Sequence, residues 1–129
     1  MTIHNRILLF VVGVVFWLLG TAWYRLQGAR IFESAPTRFW VNFLITPIAT
    51  AVLCIGILRW LAIPQPEWAS AMLLLALPGI FGEALVLARF TTVMPSMQPA
   101  SAGLYAAFLF TTYGFVLAIA EIATLVSKP

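Results

Sequence analysis

The sequence predicts an all-α polytopic membrane protein, a bundle of four transmembrane helices, and three observations carry that reading. Of 129 residues, 63% are hydrophobic and 9% charged, and the mean hydropathy is +1.03. So few charges cannot coat a soluble domain of this length. The apolar residues also gather into long runs at 7–24, 39–58, 68–87 and 101–126. A hydrocarbon core about 30 Å thick needs roughly 20 such residues at about 1.5 Å each. Finally, the basic residues Arg6, Arg25, Arg30, Arg38, Arg59, Arg89 and Lys128 sit almost entirely at run ends and in connectors, where cationic side chains anchor helices to headgroups.

The first span, 7–24, follows the short positive segment MTIHNR, and Gly20-Thr21-Ala22 offers small residues of the kind a signal peptidase reads. The run continues through Trp23 and Tyr24, too long for a signal-peptide core, so a retained helix is expected. Connector 25–38, RLQGARIFESAPTR, is amphipathic enough to extend the first helix along the interface, with Ser34-Ala35-Pro36-Thr37 as a stop followed by a start. The second span, 39–58, contains Pro47 and ends near RWLAIPQPEW, whose Pro64 and Pro66 read as an extended turn. The third, 68–87, contains Pro78-Gly79. Connector 88–100 holds Pro95 and Pro99, with enough apolar character to dip into the interface. The fourth span is 101–126. Tyr24, Trp40, Trp60 and Trp68 at segment ends fit an aromatic belt. The whole, 1–129, reads as a single membrane domain without an internal repeat.

Orientation is weakly specified. Arg6, Arg59 and Lys128 fall on one side, and Arg25, Arg30, Arg38 and Arg89 on the other. This near balance under the positive-inside rule permits insertion both ways and an antiparallel dimer.

Polar residues within the spans are few. Asn42, Thr46 and Thr50 recur every fourth residue, with Cys54 next, so they share a face of the second helix. Cys54 has no partner for a disulfide and reads as a small apolar residue. Ala76, Gly79 and Glu83 share a face of the third helix, and Gly103, Ala107, Thr111, Gly114, Ala118 and Glu121 one of the fourth. Such small-residue faces let helix backbones approach closely in lipid. Pro47, Pro78 and Gly79 are candidate kinks; two facing kinks would leave a cavity.

Glu83 is the polar residue hardest to place. It lies about five residues past the centre of its span, about 7–8 Å from the midplane, toward the side of Arg25, Arg38 and Arg89. Alone and ionised there it would cost about 2–3 kcal/mol. Arg89 is about 240° around the same helix and poorly placed. The sequence therefore predicts an intramembrane polar cluster of Arg25, Asn42 and Glu83, joined by Thr46 and Tyr105. Within it Glu83 is either an ion-pair partner that fixes register or a site for a proton or solute. Glu121 lies toward the opposite surface, as a surface residue or a partner of Arg59. Tyr113 is expected to offer its hydroxyl to a neighbouring helix.

The same inventory excludes much. His4, outside the spans, is the only histidine, so bis-His haem ligation and a His-based metal site lack support. No span contains a lysine, and GxSxG, HExxH and phosphate-cradling loops are absent. No cofactor, metal or catalytic role is expected. The scattered basic residues do not form the stripe that nucleic-acid binding needs. The expected partners are the lipid bilayer and further copies or a larger membrane complex.

Two segments, FWLLGTAWYRLQG at 16–28 and LPGIFGEALVLARFTTVMP at 77–95 followed by YAAFLFTTYGFVLA at 105–118, resemble a family of small bacterial four-helix membrane proteins classed as a domain of unknown function. The shared pattern is an aromatic-Arg end to the first helix, Leu-Pro-Gly then an acidic residue in the third, and Tyr-Gly late in the fourth. Here these are Arg25, Leu77-Pro78-Gly79, Glu83 and Tyr113-Gly114. Glutamate departs from the family's more usual aspartate. The resemblance implies a bacterial inner-membrane location and that Arg25 and Glu83 share one arrangement, but it supplies no activity. Two functions follow. One is a non-catalytic protein acting through helix–helix association, as an oligomer or accessory subunit; the alternative is a small proton- or cation-coupled transporter using Glu83.

Overall fold

The computed structural model describes residues 1–128. Among them are four long helices and one short helix, without strands: α1 (Ile3–Phe32), α2 (Pro36–Trp60), α3 (Trp68–Ala88), α4 (Phe90–Val93) and α5 (Ala102–Ser127). Helices are what an apolar solvent demands, because every backbone polar group must then be satisfied within its own segment. The four long helices, with short 3-10 turns leading into α3 and α5, are each long and apolar enough to cross a membrane. Their outer surface is apolar, with Leu19, Val52, Phe81, Leu85 and Phe110 all exposed. This is the architecture of a multi-pass membrane protein.

The helices extend further than their apolar runs. Thr2 caps α1, its hydroxyl accepting from Asn5 N at 3.1 Å. The helix then runs through Gly28 to Phe32, and the chain turns at Glu33–Ala35 so that Pro36 opens α2. Proline suits that first position, where its missing N–H would have no partner. Past the end of α2, Ala62 adopts a left-handed φ of 54°. Ala62 N donates to Arg59 O and Ile63 N to Leu58 O, at 2.9 and 3.0 Å. These bonds close a Schellman cap that folds Ile63 back onto Leu58. Where an extended turn is expected at 59–67, the chain is thus a helix end, a left-handed corner and a 3-10 turn.

The packing is a square. α3 lies against α1 on one side and α5 on the other, α5 also packs on α2, and α1 and α2 meet much less closely. Burial separates α3 from the rest: 44% of its most apolar window lies inside, against 17–22% for the other three. One core cluster closes one end of the square around Leu9, Leu58, Met72 and Leu75. A second closes the other end around Tyr24, Phe32, Phe90, Met94, Tyr105 and Phe108.

Polar clamps hold both ends. Thr124 Oγ1 of α5 accepts from Ala69 N at 2.9 Å, satisfying an otherwise free donor in the first turn of α3, and Gln65 Nε2 donates to Ala123 O at 2.8 Å. At the other end Glu33 Oε2 accepts from Gln98 N at 2.7 Å and from Ser101 Oγ at 2.5 Å. Ser96 Oγ donates to Arg25 O at 3.0 Å. Glu33 thus sits before the start of α5, where negative charge complements the helix dipole.

Three expectations are corrected here. Trp40 and Trp60 are exposed as a belt requires, but Trp68 and Tyr24 turn inward, because each indole or phenol finds a polar partner inside. Trp68 Nε1 donates to Ile63 O at 2.9 Å, and Arg59 lies 5.7 Å from the Trp68 ring. Arg59 is therefore not paired with Glu121. Glu121 is exposed, the surface alternative of that expectation, and among the described residues the one ion pair joins the Met1 amino group to Glu67 at 2.8 Å. Finally, Gly103, Ala107, Thr111, Gly114 and Ala118 all face outward. The small-residue face of α5 is not the face that packs the bundle.

Candidate functional site: a cavity around Glu83

Between the two core clusters lies a cavity of about 190 Å³ walled by all four long helices. α1 contributes Trp17, Gly20 and Tyr24, α2 contributes Thr46, Thr50 and Cys54, α3 contributes Ala76, Gly79 and Glu83, and α5 contributes Tyr105, Thr112 and Tyr113. The helical spacing of Thr46-Thr50-Cys54 and of Ala76-Gly79-Glu83 puts each set on one inward face.

Glycines set how close the aromatic rings come to α3. A Cβ on Gly79 would overlap the Tyr113 hydroxyl, and one on Gly82 would overlap the Trp17 indole. Glu83 follows directly, so the two rings flank its turn. Tyr113 does reach a neighbouring helix, seated against Gly79.

Glu83 itself is 8% exposed, and it has no cationic partner among the described residues. Its Oε2 makes no hydrogen bond within the protein; nor do Trp17 Nε1, Thr21 Oγ1, Asn42 Nδ2 or Tyr105 Oη. Each such buried group costs about 1–3 kcal/mol when left unpaired. Three of the five, Trp17, Glu83 and Tyr105, line the one cavity.

The expected Arg25–Asn42–Glu83 cluster does not form: Asn42 bonds to Tyr24 and Thr46, and neither Arg25 nor Asn42 pairs with Glu83. Arg25 is exposed, because α1 stays helical through this turn and Tyr24 faces inward, which carries the next side chain about 100° away. Tyr24 takes the place at Asn42: Tyr24 Oη and Thr46 Oγ1 each donate to Asn42 Oδ1 at 2.9 Å. Tyr105 is fully buried at the cavity wall. Pro47 and Pro78 are buried within unbroken helices. The wall passes through Gly79 rather than either proline, so facing kinks do not form this cavity. Pro78 instead packs toward Gly13 of α1. Trp17 and Glu33 had no role in the sequence reading. The nearest signal for Trp17 was the glycine pair, Gly79 and Gly82, just before Glu83, which leaves room for rings.

Asn42 offers a direct check. Interhelical hydrogen bonds in lipid contribute about 0.6–2 kcal/mol each, and Asn42→Ala removes the acceptor of one such bond, from Tyr24, and of one bond within α2, from Thr46. Unfolding by SDS titration in mixed micelles is expected to show a loss of about 1–3 kcal/mol. Tyr24→Phe should cost less, and the double variant less than the sum, because both changes delete one shared bond.

With this geometry in place, comparison with known proteins adds one finding. A family model described as "Family of unknown function (DUF5367)" matches residues 31–125. The chain belongs to this family. The DUF5367 match spans α2 to α5 and the last residues of α1, so it contains Asn42, Thr46, Glu83, Tyr105 and Tyr113, while Trp17, Tyr24 and Arg25 precede it. Of the two segments that carried the resemblance, 77–118 lies inside the match and 16–28 outside it. No curated protein and no solved structure gives a match.

Proposed function

We propose that this chain is a small, non-catalytic carrier that takes up a proton or cation at Glu83, inside a cavity among its four spans. The observation behind this reading is a buried carboxylate lining a cavity without a basic neighbour. A register-fixing ion pair would have a partner; a binding group stands ready for one. All-helical spans belong to inner rather than outer membranes, whose proteins are barrels, so a bacterial inner-membrane location goes with the proposal.

The test is Glu83→Gln, which keeps the side-chain shape and removes the charge. In proteoliposomes, proton movement driven by a cation gradient is expected to fall to the protein-free background. Unchanged movement would sink the coupling role.

A second reading, association as a homo-oligomer or accessory subunit, draws support from the outward small residues of α5. A Cβ at Gly103 or Gly114 meets open space within one chain, leaving that face free to approach another helix. The two readings are compatible, since four helices enclose little volume and a dimer would widen the path. Disulfide cross-linking of a Gly114→Cys variant in membranes tests the association.

A further inference from the structure

The walls of the Glu83 cavity carry more chemical information than its carboxylate. Six aromatic residues line it, Phe16, Trp17 and Tyr24 from α1 and Tyr105, Phe108 and Tyr113 from α5. Tyr24 of α1 packs directly on Tyr105 and Phe108 of α5, with ring centroids 5.7 and 5.4 Å apart. These three rings close one end of the cavity, while Phe16, Trp17 and Tyr113 complete the aromatic lining. Glu83 is the one acid along the wall, and no basic side chain is present there. Aromatic faces are negative and attract a cation, most strongly where it is desolvated. A carboxylate among such faces selects positive charge and repels an anion.

The same walls argue against a hard metal ion. Such ions take about six to eight oxygen ligands. The only charged oxygens here are the two of Glu83; the others are hydroxyls of three threonines and three tyrosines, set among a mainly apolar lining. Size narrows the class further. The cavity is about 190 Å³, and a cavity of about 150 Å³ holds benzene. A ring bearing a compact ammonium group is therefore the upper limit. Access points the same way, because α1 and α2 form the loosest side of the square. A Cβ on Gly20, at the cavity wall on α1, would meet nothing within 4 Å. An entrant from that side comes through lipid and must be partly apolar.

We infer that the cavity binds a small lipophilic organic cation, an aryl- or alkylammonium, with its charge on Glu83 and its apolar part against the rings of Phe16, Trp17 and Tyr113. This rests on the reading of Glu83 as a proton or cation site and names the ligand class for it.

The experiment uses the full chain in phosphatidylcholine nanodiscs, with radiolabelled benzyltrimethylammonium as the probe. Competitors are its neutral isostere, 2,2-dimethylpropylbenzene, and sodium chloride. Saturable binding is expected, unaffected by either competitor. Glu83→Gln should bind about 10- to 100-fold more weakly, the range for losing a charged partner. Gly20→Leu, which grows into open space and fills the mouth, should fold normally and lose binding. That variant decides the matter even if Glu83→Gln fails to fold. Full competition by the neutral isostere, or undiminished binding to both variants, would overturn the inference and leave an unselective apolar cavity. Competition by sodium at equal affinity would replace the organic cation with an inorganic one. Absent probe binding, alongside proton movement that still depends on Glu83, would overturn the ligand class alone. Absence of both would overturn the carrier reading as well.

Discussion

Phe32→Ala is expected to lower the unfolding free energy by about 3–5 kcal/mol, the range for deleting a buried phenyl group. Phe32 is the last residue of α1 and only 6% exposed. Its ring centroid lies 5.5–5.8 Å from those of Tyr24, Phe39, Tyr105 and Phe108, so one side chain joins α1, α2 and α5. A 30-residue helix is about 45 Å long, longer than the hydrocarbon core. Its final turns therefore emerge toward water, and the ring is buried from water rather than from lipid. The full transfer and cavity costs then apply. SDS titration in mixed micelles measures the loss, and Phe32→Leu should recover about half of it because most of the volume remains. A loss below about 1 kcal/mol would mean that this aromatic cluster does not hold the end of the bundle.

Gly13→Ala should be the most damaging single-methyl change in the membrane core, costing about 1–3 kcal/mol as an overpacked contact. Gly13 is buried on α1, and its added Cβ would overlap the carbonyl of Leu75 on α3. The obstacle is backbone, so it cannot rotate away; the two helices must separate. Gly28 makes a useful contrast, since a Cβ there meets the flexible side chain of Met97, which can move. Gly114→Ala meets nothing and gains about 1 kcal/mol of helix propensity, so it should leave a single chain at least as stable. Equal losses at Gly13 and Gly114 would refute the close α1–α3 contact.

These two sites show why the sequence could be read only so far. Apolar run length and composition predicted four spans, and the polar spacing of Asn42-Thr46-Thr50 and Ala76-Gly79-Glu83 predicted two shared faces, since both follow from local geometry and hydration. The small residues of α5 misled because close spacing identifies a face without saying where it points. In water, apolarity marks the inside. In lipid, Phe81 and Phe110 outside are as apolar as Phe108 and Leu75 inside, so hydropathy loses that contrast.

That Glu83 meets no arginine was not legible for a related reason. Arg25 and Tyr24 are adjacent in sequence, on the correct side of the membrane, and one turn from Thr21. Which of them faces Asn42 depends on the rotation of α1, which is set by how Gly13 seats against Leu75 and how Trp17 seats against Gly82. The sequence by itself determined the solvent of this protein, the number of its spans and the presence of an acid within one of them. Only the tertiary structure decided that this acid opens onto an aromatic cavity instead of meeting an arginine. That outcome depends on the phase of packed helices, and the packing contacts that set the phase come from residues far apart in the chain.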